Sequence, residues 1–345
     1  MNPDWHDFLT QHGATIEAGI VQRFGDAATE LNSTAQITVL CDLSQFGTLR
    51  VSGEEAQSFL QNLLSNDIRD VSPTRAQFSS FNTAKGRMLA TMLIWREEDD
   101  YLLQLPRVLC EPIRKKLSMY VLRAKVKITD VSDEIISLGL SGANAQDVLR
   151  EELGELPHQQ LGITGIAPGN VMKCDDTRLQ INTSIQHAPA LWEILSRHAR
   201  PVGSGYWDWL NIRSGIPVIL PQTQEQFVAQ MVNFDLIGGV NFKKGCYPGQ
   251  EIVARTQYLG KLKRRMYLAH LNSSDTPQAG EALFSADMEG QACGMIVNAA
   301  SAPAGGYDLL ATVQIASQET QAVHWKSLQG ETLEFLPAPY PLPGS

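Results

Sequence analysis

Long apolar runs are missing from these 345 residues. No stretch approaches the roughly 18 consecutive apolar residues of a membrane span, and the opening MNPDWHDFLTQHG has neither a basic region nor an apolar signal core. A cytoplasmic location without membrane association is expected. Cysteine is sparse as well: Cys41, Cys110, Cys174, Cys246 and Cys293 lie far apart, with no CxxC pair. That spacing argues against a disulfide framework and against a structural zinc site, and the seven scattered histidines form no HExxH. No metal site is expected. Positive charge is also in deficit: 28 Lys and Arg face 37 Asp and Glu, a net charge of −9. Such a balance disfavours wholesale nucleic-acid binding, so direct tRNA binding is not expected.

What is present belongs to an ordinary globular chain, 43% hydrophobic and 19% charged. Its length exceeds what one hydrophobic core usually supports, which implies two or three domains. After a helix-like N-terminus, ITVLCDLSQFGTLRVSG reads as strands and SGEEAQSFLQNLLSND as a helix, with Ser52 and Glu55 at capping-box spacing. QFSSF and RMLATMLIW are extended runs separated by Asn82 to Gly86, which have hairpin-turn composition. YLLQL, PRVLCEPIRKKLSMY and AKVKITDV then read as strand, helix and strand. Ser, Gly, Ala, Gln and Leu recur at a constant offset of 89 residues, Ser52 to Leu60 matching Ser141 to Leu149. A second α/β unit of the same grammar follows from this. Beyond Arg265 short strand-like runs broken by Gly, Pro, Asn and Asp predict a small all-β barrel or sandwich, and the proline-rich end LPAPYPLPGS is expected to lie extended over the surface.

One segment departs from the acidic background. KKGCYPGQEIVARTQYLGKLKRR, Lys243 to Arg265, has seven cations and a single acid, Glu251. Lys243 and Lys244 beside Cys246 favour a thiolate, and the glycine-flanked turn favours an exposed sulfur, so Cys246 is a candidate functional thiol, although a buried turn cysteine fits the same composition. Gln250 and Glu251 supply an amide and a carboxylate able to read a heterocycle edge, or equally to cap a helix. Lys243, Lys244 and Arg255, with Lys261 to Arg265, form a cationic face that is either solvated or able to receive an anion.

FKKGCYPGQEIVAR with YLGKLKRR resembles the signature of the YgfZ group of folate-binding proteins, relatives of the glycine-cleavage aminomethyltransferase. DLSQFGTLRVSGEEAQSFLQNLLSNDI, FNTAKGRML, WLNIRSGIPVI and FVAQMVNFDLIGGVNF fall into that pattern in order, covering most of residues 37 to 270. The resemblance implies an α+β fold: two ferredoxin-like split βαβ units and a C-terminal small β-barrel, three domains arranged in a ring with tetrahydrofolate at its centre. The domains would be 1–34 with 131–255, a discontinuous unit carrying the KGCYPGQE motif, then 35–130, and 256–345. It implies an accessory protein that works with iron–sulfur proteins or their assembly factors and so supports tRNA modification. Phe46 and Trp207 become candidates for stacking on the ligand, with Asn82, Arg213, Tyr247 and the motif residues Lys243, Lys244, Gln250, Glu251 and Arg255 around it.

The chain departs from the aminomethyltransferase pattern where that enzyme carries acidic residues. Ala90 and Thr91 occupy those positions, and neither can act as a general acid or base at neutral pH. Arg213 stands where a pterin-binding carboxylate is usual. Canonical aminomethyl transfer is therefore not expected, and enzymatic activity of another kind is left open. A folate-dependent one-carbon transferase or demethylase is the alternative reading, and an RNA-binding module built on Lys261 to Arg265 is a third.

Overall fold

The computed structural model describes residues 1–25, 37–258, 260 and 262–343. Lys261 and the expected domain boundary at 34/35 lie outside the described residues. The chain divides into two compact units. One comprises Met1–Phe59, Arg69–Gln77 and Leu93–Trp207, the other Leu60–Ile68, Phe78–Met92 and Asp208–Ser345.

The first unit opens with α1 (Pro3–Gln11), which starts where the Asn2 side chain accepts the N–H groups of Asp4 and Trp5 and buries Trp5 and Leu9. A hairpin of β1 (Ala14–Glu17) and β2 (Ile20–Phe24) follows. Next come β3 (Val39–Asp42), β4 (Phe46–Ser52) and α2 (Ala56–Gln61). Glu55 does not close a capping box with Ser52: its carboxylate accepts the N–H of Lys125 at 2.6 Å. The chain continues through β5 (Gln77–Asn82), β6 (Met88–Glu97), β7 (Asp100–Pro106), α3 (Arg107–Ser118) and β8 (Lys127–Asp130). Within this unit the second half of β6 joins β7, β4 and β8 in an antiparallel sheet, β6-β7-β4-β8.

The repeated grammar begins again at β9 (Ile135–Ser141) and α4 (Ala145–Leu153), then β10 (Ile163–Ile166), β11 (Gly169–Lys173), β12 (Arg178–Ser184), α5 (Ala188–Leu195), β13 (Arg200–Val202) and α6 (Ser204–Arg213). The strands form a six-stranded sheet in the order β10-β11-β12-β9-β3-β13, antiparallel except for β3 with β13. The two matching stretches both read strand, glycine, helix. Gly53 and Gly142 take φ of +110° and +137°, and a Cβ on them would come within 2.1 Å of Lys125 O and 2.8 Å of Ile37 O. Only glycine allows the turn and that approach. Trp5, Leu9, Leu40, Leu138, Leu149, Ile181 and Trp192 lie in one core, where α1, α4 and α5 cover the sheet.

In the second unit β5 and the first half of β6 form a hairpin. After α7 (Gln250–Tyr258) come β14 (Arg264–Leu271), β15 (Ala282–Phe284), β16 (Ala292–Ser301), β17 (Tyr307–Gln314), α8 (Ile315–Thr320), β18 (His324–Trp325) and β19 (Glu334–Phe335). The strands make an antiparallel six-stranded sheet, β18-β15-β16-β17-β14-β19, over a core of Leu271, Leu283, Ile296, Leu309 and Trp325. The fold is thus mixed α/β, with its last third mostly β. The proline-rich end does more than lie on the surface: the Tyr340 hydroxyl donates to Gly215 O at 2.9 Å, and the ring fills the space a Cβ on Gly215 would need.

Candidate functional site

The KGCYPGQE loop and the β5–β6 hairpin meet in the second unit, backbone against backbone. Gly249 (φ +80°) and Gly86 (φ +70°) both need left-handed backbone, and a Cβ on Gly249 would lie 2.4 Å from Gly86 Cα and 2.6 Å from Thr83 O. Asn241 starts the loop, its Oδ1 accepting the N–H groups of Lys243 and Lys244 at 2.8 and 3.1 Å. Lys244 then turns inward. Its ammonium donates to the carbonyls of Gln61, Leu64 and Asn66 at 2.7, 2.6 and 3.0 Å and lies 5.2 Å from the Tyr247 ring centroid. A lysine has three protons to give, and the carbonyls of the last residue of α2 and of the segment just after it take them. Lys244 is therefore a fastening of the site, not a cation open to an anionic ligand.

The remaining motif residues divide by exposure. Tyr247 is buried, and burial pushes its phenol up to about 12. Gln250 is half-buried and donates to Lys244 O at 3.2 Å, while Cys246, Lys243, Glu251 and Arg255 are exposed. Arg265 does not join that exposed face. Its guanidinium is nearly buried and pairs with Asp235 at 3.1 Å, as a desolvated cation must. Arg213 is likewise paired, with Asp308 at 3.5 Å; the same carboxylate accepts from Trp209 Nε1 at 2.8 Å and lies 2.9 Å from His270 Nδ1.

Asn82, at the end of β5, is 1% exposed. Its Oδ1 lies 3.0 Å from Ser80 Oγ, and its Nδ2 is buried with no partner among the described residues. Whichever way the amide is turned, one polar atom of Asn82 lacks a partner, which is costly unless a ligand or water meets it. Ser80 Oγ is 2.9 Å from Ser65 Oγ, and Ser65 donates to Gly239 O at 2.7 Å. Asn66 extends the network to the carbonyls of Phe78 and Gly238 at 2.9 and 2.7 Å. A second buried orphan is Gln230 Oε1, whose amide nitrogen donates to Val253 O of α7 at 2.8 Å. Sequence reading missed Ser65, Asn66, Ser80, Gln230 and Asn241, because polar residues at unremarkable spacings give no signal until the fold converges them.

The two expected stacking residues belong to the first unit. Phe46 opens β4, half-buried, in register with Pro106. The expectation of an open Trp207 face is not met. The ring is 3% exposed, carries the Arg178 guanidinium 5.4 Å from its centroid, and lies where a Cβ on Gly139 would come within 2.5 Å. Its aromatic area is used in packing. Ala90 is buried in β6, and Thr91 Oγ1 accepts the N–H of Ile219 at 3.1 Å, so neither position carries a proton-transferring group. Among the described residues no cluster of His, Cys, Asp or Glu could hold a metal ion, and no helix is long and apolar enough to cross a membrane.

Comparison with known proteins agrees with this architecture. Residues 6–204, more than half of the chain, match the GCVT N-terminal domain family. The tRNA-modifying protein YgfZ of Colwellia psychrerythraea (strain 34H / ATCC BAA-681) is 31% identical over 246 residues, 69% of this chain and 74% of that protein. The tRNA-modifying protein YgfZ of Enterobacter sp. (strain 638) is 29% identical over 305 residues, 88% of this chain and 93% of the relative. The crystal structure of the glycine cleavage system aminomethyltransferase T from Bartonella henselae superposes with a TM-score of 0.81, covering 98% of this chain and 97% of that one at 17% identity, a likeness of fold. With its cysteine loop clasped to the hairpin and no carboxylate at positions 90 and 91, the chain belongs to the GCVT-domain family and, within it, with the YgfZ proteins.

Proposed function

We propose that the protein binds tetrahydrofolate as an accessory factor in the cytoplasm, working with iron–sulfur proteins or their assembly factors and so serving tRNA modification. The observation that carries this reading is the clasp of the KGCYPGQE loop on the β5–β6 hairpin beside the buried, half-satisfied Asn82 amide. A pteridine edge has both donors and acceptors, and the orphaned atoms of Asn82 and Gln230 are a donor and an acceptor of the matching kind. The exposed cations Lys243 and Arg255 suit the glutamate tail of a folate. When bound, tetrahydrofolate supplies a one-carbon carrier. The chain's own part is to hold and orient it, since Ala90 and Thr91 cannot move a proton. In this reading the two α/β segments, 1–34 with 131–255 and 35–130, are ferredoxin-like units that close a ring with the β domain, 256–345, around the ligand.

Calorimetric titration of the full chain with tetrahydrofolate tests the proposal. Saturable binding is expected, weakened about tenfold or more in Asn82→Leu. Absence of a binding heat, or equal affinity of Asn82→Leu, refutes it.

A further inference from the structure

The molecule carries a second cationic segment, in the first unit, that the folate reading does not use. Residues 107 to 127, spanning α3, the turn after it and the start of β8, contain seven Lys or Arg and one acid, Glu111, in a chain whose net charge is −9. Glu111 is shared by Arg114 and Lys115 at 2.7 and 3.2 Å, Arg107 pairs with Asp133, and Lys125 with Glu54. Lys116, Arg123 and Lys127 have no ion pair among the described residues. β8 is the edge strand of its sheet, and α3 packs beside it. Helix end, turn and edge strand thus carry these three cations in one continuous stretch of chain, Lys116 partly exposed and Arg123 and Lys127 exposed. Between them the turn shows Met119, Tyr120 and Leu122, which are 67%, 44% and 89% exposed.

We propose that this surface docks the phosphate backbone of a structured RNA of the tRNA class, with the Tyr120 ring against an unstacked base. The choice of RNA rests on the tRNA-linked reading above; the surface itself does not. Two observations favour RNA over a lipid surface. The apolar stripe of α3, Leu109, Cys110, Ile113 and Leu117, is buried in the protein core and leaves Val108 as the one large apolar side chain exposed on the helix, so α3 has no continuous apolar face to lay on a bilayer. Beside the aliphatic Met119 and Leu122 stand three cations without ion pairs among the described residues and one aromatic ring, the combination that tracks a polyphosphate and stacks a base. Net charge misleads here because the charge is segregated: a local field persists over about a Debye length whatever the total.

The test is fluorescence anisotropy of an end-labelled tRNA transcript with the full chain, at about 50 and about 200 mM KCl. Three phosphate contacts predict an affinity about fortyfold weaker at the higher salt. Lys116→Glu, Arg123→Glu and Lys127→Glu combined should lower affinity at least tenfold and flatten the logarithmic salt slope by roughly 3. The milder combined change of the same three to Gln should act in the same direction. Tyr120→Ala should cost about tenfold with an unchanged salt slope. Equal charge reversal elsewhere on the unit, at Arg23, Arg150 and Arg197, should leave affinity within about threefold if the effect is local. Tetrahydrofolate titration of the triple variant should match the parent, so failure here and failure of the folate reading are separable. No binding at the lower salt, equal losses in the control reversal, or binding to phosphatidylglycerol vesicles that the transcript does not displace would each overturn the proposal.

Discussion

Gly249 of the cysteine loop rests directly on Gly86 of the β5–β6 hairpin, so close that a single added methyl on Gly249 would fall 2.4 Å from Gly86 Cα. Two backbones 163 positions apart in sequence cannot approach in this way through side chains. They need two adjacent hydrogen atoms where other residues carry Cβ, and left-handed φ at both. Gly249→Ala should therefore destabilise the chain by about 3 kcal/mol through strain and displacement of the hairpin. Gly245→Ala, in open space four residues earlier, should change stability by less than about 0.5 kcal/mol. Urea unfolding midpoints of the two variants provide the comparison.

Lys244→Met removes the donor shared by three carbonyls while keeping most of the apolar stem. Leaving those acceptors unpaired should cost about 2 to 4 kcal/mol. Lys243→Met, one residue away and exposed, should cost less than about 0.5 kcal/mol. Equal effects in thermal unfolding would show that the inward turn of Lys244 is not what fastens the loop.

Thiol chemistry should single out one cysteine. Cys41, Cys110 and Cys293 are buried, burial pushes Cys110 up to about 12 and Cys174 up to about 11, and Cys246 is exposed. Only the thiolate alkylates, so brief iodoacetamide treatment of the native chain near neutral pH should add one label, at Cys246, and none in Cys246→Ser. Intact-mass and peptide spectrometry read both outcomes.

Asp42 gives stability a sign in pH. It is fully buried, accepting from Trp5 Nε1 at 2.7 Å, Ser44 Oγ at 2.9 Å and Ser44 N at 3.0 Å. Burial raises its pKa, and the hydrogen bonds offset this only in part. As pH rises through the ordinary carboxylate range the unfolded chain releases this proton first, so stability contributed by the site is present at low pH and lost on the way up to the folded value. Asp42→Asn does not titrate. The stability of the wild type should fall relative to the variant as pH rises above about 4, the ordinary carboxylate value, and parallel curves would refute the assignment.

The fold was legible where a local rule has one outcome. Strand, glycine and helix at both copies of the repeat follow from a turn that admits no Cβ, and the alternating runs after Arg265 could pack only as sheet. The turn of the KGCYPGQE loop was visible for the same reason, since glycines and a turn-forming proline leave the backbone few choices, whereas the exposure of Cys246 was not, because a buried turn cysteine fits the same composition.

Charge and aromatic roles were not legible, because residue type does not state direction. Lys243 and Lys244 read alike, yet one points to solvent and the other ends on three carbonyls. Arg265 looked like part of a cationic face until Asp235 was brought beside it, and Trp207 looked available until Gly139 and Arg178 enclosed it. By itself the sequence determined which segments could be strand, helix or tight turn, since those depend on neighbours a few residues away. Only the tertiary structure decided which cations are desolvated and paired, which rings are covered and which amide is left half-satisfied, since burial is set by groups distant in sequence, from 30 positions for Arg265 and Asp235 to 183 for Lys244 and Gln61.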